Sequence, residues 1–164
     1  MLEIKETAIE DLDNIRRLWA DGDVMRYFGF PDGMHEMEES MKKWFSELVS
    51  QRPVCNQYSI YEDGIFCGEV NYQIDTEHHN FGTVDVKLFK SARGKGIASR
   101  AILFAVEKVL ENGASNVWVF PNALNLKAIA MYERLGFVRR DMPEYLIEQG
   151  NDPASRVYME FEKR

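Results

Sequence analysis

The chain has 164 residues, of which 45% are hydrophobic and 29% are charged, and its formal net charge is −7. This length and composition suit one folded domain and exclude wholesale disorder. The negative charge disfavours broad nucleic-acid binding, and the longest apolar runs, such as residues 101–106, are far shorter than the ~20 residues of a membrane-spanning helix. We therefore expect no nucleic-acid partner and no membrane partner.

The N-terminus and the cysteines favour a cytoplasmic protein. The first residues lack the basic segment and the apolar run of a secretory signal. Cys55 and Cys67 are too few for a disulfide framework, and their spacing matches no metal-binding motif. We expect reduced thiols and no bound metal.

Charge is distributed unevenly along the chain. Residues 1–63 carry fourteen acidic and seven basic side chains, whereas residues 64–164 carry thirteen of each. The acidic excess is either a set of solvated helix faces or an attraction for a cationic amine. Residues 86–106 contain no acidic residue, and a basic segment of this kind predicts a site for an anion. Its basic side chains are Lys87, Lys90, Arg93, Lys95 and Arg100.

The first part of the chain is predicted as a strand and two helices. Residues 2–7 alternate in hydrophobicity, which indicates an opening strand. Thr7 and Glu10 form a capping-box pattern at the start of the first helix. After a turn-rich segment at 21–32, a second helix is predicted. Its apolar face is formed by Met37, Met41, Trp44, Phe45 and Leu48.

The middle of the chain is predicted as an antiparallel meander. Strands are expected at 58–61, 65–74 and 82–89. The dipeptide Asp63-Gly64 between the first two is a typical hairpin turn. A further turn is expected at 76–80.

The second half alternates helices and strands. Helices are predicted at 97–110 and from Asn125 to Gly136, and strands at 117–120, 137–140 and 157–161. The order β-α-α-β-β-β-α-β-α-β-β predicts an α/β fold with a mixed sheet and helices on both faces. No linker is visible, so residues 1–164 are expected to form a single domain.

The loop before residue 97 has the features of a phosphate cradle. Gly94 and Gly96 allow close approach of a ligand to the backbone, and the following helix start supplies free N–H groups. A nucleotide P-loop is excluded because Ile97 follows Gly96 where lysine is required. A dinucleotide fingerprint is disfavoured because Ser99 stands at the third glycine position.

Two blocks of sequence resemble the GCN5-related N-acetyltransferase (GNAT) family. The string Arg93-Gly94-Lys95-Gly96-Ile97-Ala98 matches the family signature [QR]-x-x-G-x-[GA] after a strand and at a helix start. The second block, similar to N-x-x-A-x-x-x-Y-x-x-x-G-F, consists of Asn125, Ala128, Tyr132, Leu135, Gly136 and Phe137.

The resemblance covers residues 60–162 well. Residues 1–60 match loosely, as expected of the variable acceptor-binding part, and residues 60–164 would hold the acetyl-CoA-binding core and the C-terminal strands. The segments 24–28, 144–147 and 156–159 are similar to the branch with ribosomal-protein-alanine and spermidine acetyltransferases.

The resemblance implies a central, mostly antiparallel sheet flanked by helices on both faces. It also implies direct transfer of acetyl from acetyl-CoA, the co-substrate, to a primary amine. A backbone N–H near Leu88 would polarise the thioester carbonyl, and Tyr132 would protonate the leaving thiolate. The implied cofactor-binding residues are Val86, Lys87, Leu88, Arg93, Gly94, Lys95, Gly96, Ile97, Ala98, Ser99 and Asn125.

The general base has no fixed position in the family. Glu69 is the first candidate and Asp85 the second, while Glu36, Glu38 and Glu39 are weaker. The alternative is that Glu69 is a surface or strand-edge carboxylate and that Asp85 points to solvent. Without the family pattern, Tyr132 would be read as a core residue.

The sequence does not identify the acceptor. It is either a small amine such as a polyamine or an amine of a protein. A non-catalytic acyl-CoA sensor is the alternative function. Members of the family are often dimers, so the resemblance allows a homodimer.

Overall fold

Seven strands form one sheet in the computed structural model, which describes residues 1–162. The strands are β1 (Leu2–Glu6), β2 (Cys55–Glu62), β3 (Ile65–Asp75), β4 (Phe81–Leu88), β5 (Asn116–Val119), β6 (Phe137–Arg139) and β7 (Met159–Phe161). Their order across the sheet is β1-β2-β3-β4-β5-β7-β6. Only β4 and β5 pair in parallel, and the other neighbours in the described residues pair antiparallel.

Six α-helices accompany the sheet in the same residues. They are α1 (Leu12–Ala20), α2 (Gly22–Met25), α3 (Glu38–Gln51), α4 (Ile97–Glu111), α5 (Leu126–Leu135) and α6 (Glu144–Glu148). None of the helices within 1–162 is long and apolar enough to cross a membrane.

The helices cover the sheet from two sides. Val70 of β3 and Val84 of β4 share one buried cluster with Ile102 of α4. A second cluster joins Ile15 of α1 with Met41 of α3. Because side chains alternate along a strand, residues 69, 71, 85 and 87 lie on the side of α1 and α3. This arrangement confirms the predicted α/β fold, with a mostly antiparallel sheet between helices.

Two local predictions were wrong. Thr7 does not cap a helix, because its hydroxyl is hydrogen-bonded to Ser59 Oγ in β2 at 3.0 Å. Ala8 begins the first helical turn instead, and its N–H donates to the Asp11 carboxylate at 2.9 Å. Met37 precedes α3 and is 72% exposed, so it is not part of the buried helix face. The helices α2 and α6 were not predicted, because each is too short to show a helical period in its sequence.

Gly68 allows β3 and β4 to approach each other closely. It lies opposite Leu88, and a methyl group at this position would overlap the carbonyl oxygen of Lys87. We predict that Gly68→Ala lowers the free energy of unfolding by about 1–3 kcal/mol, because the backbone of β4 must move. Urea denaturation measures the loss.

Gln73→Ala, at an exposed position of the same strand, is the control and should stay within about 0.5 kcal/mol of the native protein. Equal stability of the two variants would contradict this account of the packing.

Candidate functional site

β4 and β5 separate after three paired residues. The pairs are Phe81 with Asn116, Gly82 with Val117, and Thr83 with Trp118. On its other side, β4 stays paired with β3 as far as Leu88. The second half of β4 therefore has a free edge where β5 has left it.

The chain after β5 follows the C-terminal segment instead of β4. The N–H of Val157 donates to the carbonyl of Pro121 at 3.0 Å, and the N–H of Ala123 donates to the carbonyl of Ser155 at 2.9 Å. Pro121 itself has no N–H to offer a neighbouring strand. These contacts keep the two strands apart, and a gap opens along β4.

The backbone N–H groups of Val86 and Leu88 point into this gap. The N–H of Phe89 donates to the carbonyl of Cys67 in β3 at 3.0 Å. Alternate residues of a strand direct their backbone groups to opposite sides, so residues 86 and 88 direct theirs away from β3. In agreement, the Leu88 carbonyl accepts a hydrogen bond from Nη2 of Arg93 at 3.0 Å.

The glycine loop and the start of α4 present further N–H groups beside the gap. Gly94 and Gly96 have φ angles of +79° and +80°, which glycine adopts without strain. A Cβ at either position would meet no atom within 4 Å, so the loop is open. The first turn of a helix has N–H groups without intrahelical partners and the positive end of the helix dipole. An anionic group fits this position.

The cationic side chains of the loop are already paired. Nη1 of Arg93 lies 2.7 Å from Oδ2 of Asp23, and Nζ of Lys95 lies 3.0 Å from Oε1 of Glu62. Both pairs are partly exposed, so their net strength is small. An anion at this loop would therefore depend mainly on backbone N–H groups.

Tyr132 lies on α5, and Asn125 immediately precedes that helix. Tyr132 is 5% exposed, and its ring packs edge-on against Phe137 with centroids 5.3 Å apart. Burial raises the pKa of Tyr132, and the Asp85 carboxylate adds to the effect, so the hydroxyl keeps its proton at neutral pH. The Asn125 side chain accepts a hydrogen bond from the N–H of Ala128 at 3.3 Å and thereby caps the helix.

An ion cluster joins the two main base candidates on the side of the sheet that faces α1 and α3. Glu69 is 1% exposed; its Oε1 accepts from Nε1 of Trp19 at 3.0 Å, and its Oε2 accepts from Nε2 of Gln57 at 2.9 Å. Nζ of Lys87 lies 3.6 Å from Oε1 of Glu69 and 2.7 Å from Oδ2 of Asp85. Glu69 is therefore buried rather than on the surface, and Asp85 is bound to a neighbour.

The protonation of this cluster follows from burial and mutual attraction. Burial raises the pKa of Glu69, and the Lys87 ammonium opposes that rise. Burial lowers the pKa of Lys87, but the carboxylates of Asp85 and Glu69 raise it by more, so that the net shift is upward. Lys87 therefore stays charged at neutral pH.

Lys87 does not lie where the sequence placed it. Its side chain belongs to the ion cluster, and its carbonyl faces Gly68 of β3. Neither its side chain nor its backbone faces the gap. The residue was assigned to the cofactor site because it lies between Val86 and Leu88, and strand alternation turns it to the other side.

A cavity of about 340 Å³ lies against the ion cluster. Glu69 and Lys87 line part of it, and Trp19 and Trp44 line another part, with ring centroids 5.0 Å apart. Side-chain amides supply most of the remaining polar lining; they are Gln51, Asn56, Gln57, Asn71 and Gln73. A polar molecule with hydrogen-bonding groups fits such a lining.

Sequence reasoning missed the partners of Glu69. Trp19 and Gln57 were not among the candidate residues, and Glu36, Glu38 and Glu39 do not line the cavity. The Asp63-Gly64 turn alone does not indicate Gln57, because an irregularity between Ile60 and Tyr61 shifts the register by one residue before Ser59 pairs with Glu69. The contact from Trp19 spans fifty residues, and no local pattern predicts it.

Comparison with known proteins identifies the family. The model of the acetyltransferase (GNAT) domain matches residues 2–138. The chain therefore belongs to the GNAT acetyltransferase family, which confirms the prediction from the two motif blocks. A curated relative, the N-alpha-acetyltransferase MAK3 of Arabidopsis thaliana, is 34% identical over 76 residues, or 46% of this chain. The match spans 40% of that relative's length.

Solved structures share the fold over nearly all of the chain. The spermidine N-acetyltransferase of Vibrio cholerae, in complex with CoA and spermine, has a TM-score of 0.77 at 17% identity and covers 97% of this chain and 93% of its own. The ribosomal-protein-alanine N-acetyltransferase of Brucella melitensis has a TM-score of 0.77 at 16% identity, with 96% and 98% covered. At these identities the likeness concerns the fold alone.

We predict that Trp19→Phe raises the pKa of Glu69 further, because it removes an N–H donor that favours the ionised carboxylate. Trp44→Phe is the matched control, since Trp44 lines the same cavity and packs against Trp19, but its indole is not bonded to Glu69. An NMR titration of the ¹³C-labelled carboxyl measures both variants.

The same change should alter the pH dependence of stability. A carboxyl whose pKa is raised on folding stabilises the fold fully below its unfolded pKa, near 4.5, and this contribution is lost as the pH rises to the folded pKa. Trp19→Phe should therefore lose more stability than Trp44→Phe as the pH rises from 4.5 to neutrality. If the stabilities of the two variants change in parallel over this pH range, the hydrogen bond from Trp19 to Glu69 is contradicted.

Proposed function

We propose that this protein transfers an acetyl group from acetyl-CoA to a primary amine. The observation that carries the proposal is the gap between β4 and β5, which opens beside the glycine loop and the start of α4. The free edge of β4 can pair with an extended amide-bearing chain, and the loop can hold the anion at its end.

The donor would bind through backbone groups. The pyrophosphate of CoA would accept hydrogen bonds from N–H groups of residues 93–99, which comprise the loop and the first residues of α4. The pantetheine arm would lie along β4 at Val86 and Leu88. Asn125, at the start of α5, would contact its thioester end. We leave Lys87 out of the donor site because of its position in the ion cluster.

The chemical step would be a direct attack by the amine nitrogen on the thioester carbonyl carbon. A carbon–nitrogen bond forms, and the negative charge on the oxygen is stabilised by the N–H of Leu88. The carbon–sulfur bond then breaks, and Tyr132 gives its proton to the departing thiolate. Tyr132 recovers a proton from solvent, and the proton of the amine passes to the base.

We propose Glu69 as that base, with Asp85 as the alternative. Both lie on the face of the sheet that bears the 340 Å³ cavity, from which an acceptor would approach. Burial raises the pKa of Glu69, and a carboxylate with a raised pKa is a better proton acceptor near neutrality. Burial raises the pKa of both Cys55 and Cys67, which disfavours the thiolate form that an acyl carrier needs.

We predict that Tyr132→Phe lowers kcat by about 10–10³-fold, because the thiolate loses its proton donor. The affinity for acetyl-CoA should remain nearly unchanged. Thiol release measures turnover, and calorimetric titration measures binding. Tyr158→Phe is the control, since Tyr158 is also buried but donates to Glu160 in a separate cluster. Normal turnover of Tyr132→Phe would remove the acid role.

We predict that Gly96→Val weakens acetyl-CoA binding by roughly tenfold or more, because a β-branched residue does not tolerate a φ of +80° and the loop must move. Gly150→Val is a matched control with a φ of +99° and open space around it, far along the chain from the loop. Equal acetyl-CoA affinity in the two variants would refute the loop assignment.

If the protein binds acetyl-CoA but releases no thiol with any amine of a broad panel, the result would favour the alternative function, a non-catalytic acyl-CoA sensor. A cytoplasmic location remains a prediction from the sequence, and a homodimer is allowed only by the resemblance to the family.

A further inference from the structure

The ammonium group of Lys87 occupies a position built for a primary amine. It lies 2.7 Å from Oδ2 of Asp85 and 3.6 Å from Oε1 of Glu69. The ring of Phe28 covers it, with 4.5 Å between Nζ and the ring centroid. Its side chain is only 13% exposed. Two carboxylates and an aromatic face are the groups that recognise an ammonium ion.

This internal ammonium compensates one of the two carboxylates that line the cavity. The charged residues that line the cavity are Glu47, Glu69 and Lys87, and the other lining side chains are neutral. Of the fourteen acidic residues in positions 1–63, Glu47 alone lines this cavity. The acidic excess of the first part of the chain is therefore not directed into the cavity.

We propose that Lys87 is a specificity-determining residue that directs the enzyme to singly charged amines with a hydrogen-bonding body and away from polyamines. The proposal rests on the proposed function and names the acceptor class for the same site.

Charge compensation explains the selectivity. A polyamine brings several ammonium groups, and each one needs a carboxylate when it leaves water. Glu69 and Asp85 are already engaged by Lys87, and a second ammonium near it would be repelled. The amides of Asn71 and Gln73, by contrast, can bind peptide or hydroxyl groups of a neutral body.

Two probe amines test the proposal. One is the tripeptide amide of three alanines, which carries one positive charge, and the other is spermidine, a polycation at neutral pH. For each, kcat/KM is measured by thiol release with saturating acetyl-CoA. Affinity is measured separately, in the CoA complex, from the fluorescence of the tryptophans that line the cavity.

The native protein should prefer the tripeptide amide. Lys87→Met should shift the ratio of the two kcat/KM values towards spermidine by about tenfold or more, because it leaves both carboxylates without a counter-ion. Lys87→Arg keeps the charge and should keep the native preference. Lys108→Met is the matched control, since it removes a lysine that pairs with Glu111 on the exposed side of α4, and the ratio should not change.

The outcomes separate this proposal from the proposed function. If acetyl-CoA binds but neither amine releases thiol, the proposed function fails, and selectivity is then read from the two affinities. A native preference for spermidine, equal affinities, or an unchanged ratio in Lys87→Met would overturn the role of Lys87. If Lys87→Met does not fold, Asp85→Asn provides the test, because it removes a carboxylate and leaves the charge of Lys87 less compensated. Spermidine should then bind more weakly than it binds to the native protein.

Discussion

The site depends on where the pairing of β4 and β5 stops. The contacts of residues 121–123 with the C-terminal segment draw the chain after β5 away from β4, and Arg93 binds the Leu88 carbonyl at the far end of the strand. A sheet edge inside the molecule is left free, although such an edge is normally paired or covered. The arm of acetyl-CoA would complete the sheet there.

The alternation of side chains along β4 gives its two sides different roles. Val84 and Leu88 pack into the core with α4, which fixes the strand against the helix that begins at the glycine loop. Asp85 and Lys87 point to the other face and form the ion cluster with Glu69. The same strand thus connects the donor site to the cavity proposed for the acceptor, and a shift of one residue in register would exchange the two sets.

The sequence predicted the features that depend on local pattern. The loop at 93–96, the helix that follows and the block around Tyr132 are short motifs, and the hairpin at Asp63-Gly64 is a local turn. The burial of Glu69 and the position of Lys87 depend on register across three strands and on Trp19 from α1. Thr7 was misjudged for the same reason, because its partner Ser59 is remote in sequence.

Amide hydrogen exchange with and without acetyl-CoA tests the central claim most directly, because it needs no knowledge of the acceptor. The account predicts that acetyl-CoA slows exchange at Val86 and Leu88 on the free edge of β4 and in the first turn of α4, at residues 97–99. Protection confined to other segments, or none at a saturating concentration, would contradict the claim that the gap between β4 and β5 is the donor site.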